Sequence, residues 1–374
     1  KWRKALTACD YALKWAEDEG GNKLLLLDNM PSRAANLKDP YIPGNSDKDF
    51  VEHVKLMSFV LQSTPDEGNF EYLWGIVPYV VVGFWSPLPL NIIERNGSWV
   101  SGYSQMAPTL YTMEHFCTKN GKLPENDEKF VDKSRWLKSA GVSGRSDIIN
   151  LCVDREPRFY AWMAFDGGEY TQQLVNGKSL QLNMKSSSRQ GRNPQVNRNY
   201  SPTGFLSKKF VEPDLSFTSE SGGEGNNVNY PVPLFRLAEL YLNRAECYAA
   251  LDMTKEALAD INTIRRRAGV TELKESDLKV MSLMDWVRNE RFVELWGEGH
   301  RYYDVRRWMI APDNLKAGVR EGLNVLEKYD PSFDEFNVRT RINQPFMWDN
   351  RMYLLPVYAD EVYSNPQMIQ APGY

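Results

Sequence analysis

The densest set of charged side chains in the sequence lies between residues 290 and 307. The set comprises Glu290, Arg291, Glu294, Glu298, Arg301, Asp304, Arg306 and Arg307. Two carboxylates can hydrolyse a glycosidic bond when they lie about 5 Å or about 6.5–9.5 Å apart. Glu290 and Glu294, however, share one helix face, where nearby arginines can pair with them bidentately. Paired carboxylates stay ionised, which does not suit a general acid. We therefore interpret Glu290, Arg291, Glu294, Glu298, Arg301, Asp304 and Arg307 as a structural charge network, with a glycoside hydrolase as the alternative.

A second group of residues offers the chemistry of sugar binding. It consists of Trp74, Tyr79, Trp85, Asn91, Arg95, Asn96, Trp99, Tyr103 and Gln105. An exposed aromatic ring matches the apolar face of a sugar, while amides and arginine can hydrogen-bond its hydroxyls. We predict ligand contacts from Trp74, Tyr79, Trp85, Asn91, Arg95, Trp99 and Tyr103. Trp99 is the best candidate, because it follows the turn Asn96-Gly97-Ser98 and is expected near a loop tip. Core packing is the more common role for any single ring, and Trp162 and Tyr170 are weaker alternatives.

Other catalytic chemistries find little support in the sequence. The three histidines are far apart and lack the spacing of a zinc site. The four cysteines form no C-x-x-C pair and are expected to be buried thiols. Nucleophile-elbow, phosphate-loop and dinucleotide motifs are missing from the sequence. We therefore predict no catalytic residue, no metal site and no cofactor.

The composition is that of an ordinary globular protein with many aromatic rings. Hydrophobic residues make up 42% and charged residues 25% of the 374 residues, and the net charge is −4. This charge argues against a nucleic-acid-binding groove. Aromatic residues reach 12%, which suits stacking against sugars. Residues 72–93 are uncharged and long enough to cross a bilayer, but their prolines favour extended, turning chain.

Residues 235–270 predict two amphipathic helices joined by a short turn. Tyr241, Ala245, Tyr248, Ala257 and Ile261 have the spacing of the packing positions in a tetratricopeptide hairpin. Thr254 is predicted to cap the second helix, and Gly269 to supply the left-handed residue that ends it. A generic helical hairpin is the alternative.

The first residues of the chain repeat part of this spacing. Ala5, Cys9 and Ala12 resemble the second helix of such a hairpin. A lone second helix cannot bury its apolar face. We therefore expect the chain to be the C-terminal piece of a longer protein.

The rest of the chain suggests four regions. We predict a hairpin helix over 1–20, an irregular ligand-binding insert over 21–232, tetratricopeptide-like helices over 233–310 and an extended segment packed on this scaffold over 311–374. Within them, further helices are predicted over 48–62, 283–296 and 302–309, a strand over 154–165, and an extended tail over 353–374.

Three segments together resemble one family, the SusD/RagB-type surface lipoproteins. Residues 233–269 resemble its helical hairpin, and residues 287–308 its Glu-Arg, Glu-Leu, Gly-Glu and Asp-x-Arg-Arg-Trp signature. Residues 355–374 are similar to its closing Asn-Pro and Pro-Gly-Tyr pattern, and residues 107–122 show a weaker likeness. Tyr358 and Ala371 depart from the pattern, where proline and asparagine are usual.

The resemblance implies a fold, a location and a partner. The fold is dominated by α-helices, with tetratricopeptide-like hairpins arranged in an α–α superhelix and a large loop-rich insert that carries the ligand site. Such proteins are held by an N-terminal lipid on the outer face of the Bacteroidetes outer membrane. They capture a glycan, or in some cases peptides, and deliver it to a SusC-like TonB-dependent transporter. The resemblance therefore implies a non-catalytic binding protein.

Overall fold

Helices dominate the computed structural model, which describes residues 1–76, 85–142, 147–218, 232–315, 318, 320–342 and 347–374. The α-helices in these ranges are α1 (Trp2–Lys14), α2 (Lys48–Phe59), α3 (Leu110–His115), α4 (Pro157–Trp162), α5 (Leu237–Ala250), α6 (Thr254–Arg267), α7 (Leu283–Glu294), α8 (His300–Arg307), α9 (Ala311–Leu315), α10 (Phe333–Phe336) and α11 (Ala359–Ser364). The strands are β1 (Tyr72–Ile76), β2 (Ile93–Arg95), β3 (Ser98–Val100), β4 (Met163–Phe165), β5 (Phe205–Ser207), β6 (Val232–Arg236), β7 (Glu321–Gly322) and β8 (Thr340–Arg341). They form two-stranded antiparallel sheets that pair β1 with β6, β2 with β3, β4 with β5 and β7 with β8. The prediction of a helix-dominated fold is confirmed, while the tetratricopeptide-like superhelix stays an interpretation.

The predicted helical hairpin is formed by α5 and α6, which pack against each other. Ala245, Ala257 and Ile261 are fully buried between the helices. Thr254 is not the cap that we predicted, because the chain leaves the helical conformation one residue earlier, at Met253, whose side chain makes no capping hydrogen bond. Gly269 has φ +68°, and a Cβ atom there would lie 2.6 Å from Cγ of the His53 ring. Glycine is therefore required at position 269 for two reasons, the positive φ and the short distance between its backbone and α2.

The predicted N-terminal helix is α1, and it continues through a wide π-helical turn, Trp15–Glu19. α1 packs on α5 in a small core of its own. This core contains Leu13, Ala16, Leu24, Leu237, Ala238, Leu242, Ile264 and Leu295. The predicted helices over 48–62, 283–296 and 302–309 are confirmed as α2, α7 and α8, with ends shifted by a few residues.

The predicted strand over 154–165 is wrong for most of its length. Pro157 begins α4, because proline fits the first position of a helix, where no backbone N–H is needed. Only Met163–Phe165 is a strand. α4 packs on α2 in the main core and carries the charged Arg158 into it.

The tail is less extended than predicted. Residues 359–364 form α11 between Pro356 and Pro366, and the segment from residue 311 onward also contains α9, α10 and the β7–β8 pair. Proline blocks the interior of a helix but leaves room for a short one between two prolines. Within the described ranges, every helix is too short or too polar to cross a bilayer.

Candidate ligand-binding site

One predicted ring, Trp74, lies on an exposed aromatic pair. The register of the β1–β6 sheet places Trp74 opposite Phe235. Their rings stack, with centroids 6.1 Å apart and planes 17° from parallel. Trp74 is 59% exposed and Phe235 47%, so the pair keeps much of its aromatic surface in contact with solvent. We call these two residues the β1–β6 ring pair.

Sequence reasoning missed Phe235, because it placed this residue at the start of the helix over 235–270. The strand instead continues to Arg236, whose extended backbone precedes the first turn of α5. No local signal marks Phe235 as extended, because Pro233 restricts only its own φ and the residue before it.

A second set of exposed rings surrounds the β2–β3 hairpin. Trp99 lies on β3 and is 39% exposed, and Tyr103 follows it with 43% exposure. The predicted turn at Asn96 and Gly97 is confirmed by the positive φ of both residues. The guanidinium of Arg189 lies over the Trp99 ring, 5.8 Å from its centre, and so covers part of this ring.

The predicted polar partners are already engaged with the protein. Asn91 Nδ2 donates to the backbone oxygen of Arg189 over 2.8 Å. Arg95 Nε donates to the backbone oxygen of Thr218 over 2.6 Å. These bonds fasten the segments of Arg189 and Thr218 to the chain around the β2–β3 hairpin, and the first of them holds the segment whose Arg189 contacts Trp99.

The remaining predicted rings differ in their surroundings. Trp85 is half-buried and stacks on Phe217 with centroids 5.7 Å apart. Tyr79 lies outside the described residues. The weaker candidates Trp162 and Tyr170 are wrong, because both are sealed in the core. Trp162 Nε1 donates to the Met57 backbone oxygen over 2.8 Å, and the Tyr170 hydroxyl donates to that of Pro87 over 2.7 Å.

Glu290, Glu294 and Glu298 belong to a buried ion network that links the strands to the helices. Within the described residues, its carboxylates are Glu71, Glu156, Glu290, Glu294 and Glu298, and its cations are Arg158, Lys209, Arg236, Arg265 and Arg267. Five negative charges thus meet five positive charges, and every member side chain is at most 3% exposed. Such burial is tolerable only because each charge is paired and hydrogen-bonded.

Glu294 lies at the centre of this network. Its Oε1 accepts from Arg236 over 2.8 Å and also from Arg267, while its Oε2 accepts from Arg158 over 3.1 Å. Burial by itself raises the pKa of Glu294, but the three arginines outweigh it and hold that pKa far below the usual value. Burial likewise opposes the ionisation of Glu298, yet Arg236 and Lys209 lower its pKa to about 2.

Burial raises the pKa of Glu156, but this carboxyl offers no route to a substrate. Glu156 is fully buried, one oxygen accepts from the Cys117 backbone N–H over 2.8 Å, and the other accepts from Arg158. A general acid must reach the leaving group of its substrate. The geometry therefore supports a role for these carboxylates in holding the fold.

Other charged residues that we grouped with this network lie elsewhere. Arg291 donates to Asp304 over 2.7 Å, and Arg307 bridges Asp304 and Glu246. Arg301 is separate again and donates to the Tyr111 hydroxyl over 3.1 Å. The single predicted set is therefore divided among different neighbours in space. Sequence reasoning also missed Glu71, Glu156 and Arg158, which come from distant segments.

Comparison with known proteins gives a consistent result. The sequence model of the SusD family matches residues 82–374. The SusD-like protein P25 of Formosa agariphila is 40% identical over 82 residues, which cover 21% of this chain and 16% of that protein. The starch-binding protein SusD of Bacteroides thetaiotaomicron is 33% identical over 113 residues, or 28% of this chain and 19% of that protein.

Solved structures match over the whole chain. The structure of BT4246 superposes with a TM-score of 0.95 and 48% identity, covering 100% of this chain and 62% of that one. The structure of a SusD-like protein from Bacteroides fragilis matches with a TM-score of 0.68 and 21% identity, covering 100% of this chain and 64% of that one. At this identity the match supports the fold alone. The chain thus spans less than two thirds of the length of these relatives.

Proposed function

The chain belongs to the SusD family, and from that premise we propose that it binds a glycan at the cell surface without catalysing a reaction on it. In this proposal the protein is lipid-anchored on the outer face of the outer membrane. It captures an oligo- or polysaccharide and delivers it to a SusC-like TonB-dependent transporter.

The observation that carries the proposal is the β1–β6 ring pair. Trp74 and Phe235 lie nearly parallel on neighbouring strands, and both remain about half exposed. An exposed aromatic ring offers a flat apolar face of the kind that matches the C–H face of a sugar ring. The exposed Trp99 and Tyr103 offer a further ring surface at the β2–β3 hairpin.

The expected strength of one ring contact is modest. A sugar that covers about 70 Å² of apolar ring surface gains roughly 1.5–2 kcal/mol. This gain corresponds to a factor of roughly 10–30 in affinity. Loss of either Trp74 or Phe235 should therefore weaken binding measurably without abolishing it when the second ring remains.

The experiment is affinity electrophoresis in gels that contain one candidate polysaccharide each, followed by calorimetry with the polysaccharide that retards the protein. Trp74→Ala and Phe235→Ala should each lower affinity roughly 10- to 30-fold, and Trp99→Ala tests the second surface. Tyr363→Ala is the matched control, because Tyr363 is 83% exposed on α11. The proposal fails if no polysaccharide retards the wild-type protein, or if the control variant loses as much affinity as the ring variants.

The non-catalytic part of the proposal rests on the buried ion network. Its carboxylates are held by arginines and closed to solvent, so none is free to protonate a glycosidic oxygen. Incubation with the retained polysaccharide should produce no new reducing ends. Turnover by the wild-type protein would instead favour a glycoside hydrolase, and its loss in Glu290→Gln or Glu294→Gln would implicate those carboxylates only if circular dichroism shows the variant folded.

The transporter part can be tested separately. Tagged protein purified from its native membranes should bring along a large β-barrel protein. Copurification without glycan binding would favour a docking scaffold over a nutrient-binding protein, so both measurements are needed.

A further inference from the structure

An open cavity of about 530 Å³ lies on the helical side of the molecule, where the segment after α1 crosses α2, α5 and α6. Its volume is in the range of about 300–1,000 Å³ that is usual for small-molecule sites. Its lining includes none of the residues that we predicted to bind glycan.

One part of the cavity wall is aliphatic. Leu24, Leu26, Leu27 and Leu56 all line it. Leu56 is fully buried and Leu24 nearly so, whereas Leu26 and Leu27 are about 40% exposed. The leucines thus range from sealed to exposed, and an aliphatic ligand that covers the two exposed ones removes their apolar surface from water.

Charged groups of both signs also line the cavity. Glu17 accepts a hydrogen bond from the Tyr241 hydroxyl over 2.5 Å, and Asp28 contributes a second carboxylate. Lys23 is one of the cations that line the cavity, and its Nζ lies 5.6 Å from the centre of the Phe70 ring. Among the described residues, neither Lys23 nor Asp28 has an ion-pair partner within 4.0 Å. The cationic Arg266 and Arg267 are paired with Glu272 and with network carboxylates, respectively.

The backbone that presents Glu17 is unusual. Residues Trp15–Glu19 form a π-helical turn at the end of α1. Such turns are rare, and they occur frequently at functional sites, where the extra residue per turn redirects side chains. Here the turn brings Glu17 to the cavity beside Tyr241.

From these features we infer that the cavity binds a small apolar zwitterion, that is, an aliphatic body that carries one ammonium and one carboxylate group. The leucine wall accepts the aliphatic body. Glu17 and Asp28 attract the ammonium, and Lys23 attracts the carboxylate. This second site goes beyond the proposed glycan binding and does not depend on it.

The test uses leucyl-leucine as the probe, with leucyl-leucine amide and N-acetyl-leucyl-leucine as blocked controls, in titration calorimetry on the whole chain. Leucyl-leucine should bind saturably, and each blocked form should bind about two- to fivefold more weakly, because each loses one charge contact at a partly solvated site. Lys23→Ala should weaken leucyl-leucine by a similar factor and leave the amide unaffected. Loss of affinity for both ligands in Lys23→Ala would contradict the assigned role of Lys23.

The aliphatic contact is tested by Leu27→Asn, which keeps the size and adds no charge, and which should weaken all three ligands about tenfold. Leu326→Asn is the matched control, because Leu326 is 45% exposed and does not line the cavity. Trp74→Ala should leave leucyl-leucine binding unchanged, which separates this site from the glycan site. Absence of saturable leucyl-leucine binding, or equal binding by wild type and Leu27→Asn, would overturn the inference.

Discussion

The buried ion network makes a sharp prediction about stability. Glu294→Gln keeps the volume of the side chain but removes the charge that three arginines share. The network then holds four carboxylates and five cations, counted over its described members, and a buried positive charge is left without compensation. The new amide also turns an N–H group toward a guanidinium, where only acceptors fit.

Breaking a buried charge set from one side costs about 3–5 kcal/mol. This is a large part of the roughly 5–15 kcal/mol by which a folded domain is usually stable. Urea unfolding followed by circular dichroism should show a lower midpoint with an unchanged slope, since the amount of surface exposed on unfolding stays the same.

Two controls make this prediction refutable. Glu272→Gln removes the same kind of charge from an exposed pair with Arg266 and should cost at most about 1 kcal/mol. Glu294→Gln combined with Arg267→Met restores a balance of four charges each, so the double variant should be less destabilised than the sum of the single ones by about 0.5–3 kcal/mol. A cost below about 1 kcal/mol for Glu294→Gln, with additive behaviour in the double variant, would refute the idea that this network holds the frame.

Two other predictions concern acid and glycine. The folded pKa of Glu298 is about 2, below an unfolded value of about 4.3. Its contribution to the free energy of unfolding is therefore complete above the unfolded pKa and is lost as the pH falls toward 2. Glu294 acts in the same direction, so urea unfolding at pH 6, 4 and 3 should show a progressive loss of stability. Gly269→Ala should cost about 1–3 kcal/mol, because strain at positive φ adds to the collision with His53. Gly21→Ala, at φ +65° with nothing within 4 Å, should show only the strain of about 1 kcal/mol in the same assay. Equal costs for the two glycine variants would show that the approach to His53 is unimportant.

Apolar spacing was sufficient to predict several helices, and the α5–α6 hairpin has small residues where the helices meet. The structure adds N-caps that we did not predict, from Asp47 on α2 and Ser282 on α7. These features depend on neighbours within a few residues, so the sequence displays them directly.

Long-range pairing was not predictable in the same way. β1 and β6 are short and lie far apart in the sequence, so no local sequence pattern predicts that Trp74 pairs with Phe235. The ring type also does not reveal burial: Trp162 and Trp99 are the same residue, yet one is sealed and the other exposed. The difference is that Trp99 follows a turn with positive φ, whereas Trp162 ends a helix that packs on both α2 and the β4–β5 pair.

Arg236 connects the ion network to the two strands that carry the β1–β6 ring pair. Arg236 is the last residue of β6 and pairs across the sheet with Tyr72, and its side chain binds Glu71, Glu294 and Glu298. Glu71 directly precedes β1, so a single guanidinium ties both strands to α7 and the turn after it. Phe235 is adjacent to Arg236, and the β1–β6 ring pair is therefore held at a fixed place on the frame. A surface that is already rigid loses little conformational entropy on binding, so the buried charge network can support the proposed glycan surface without contacting the ligand.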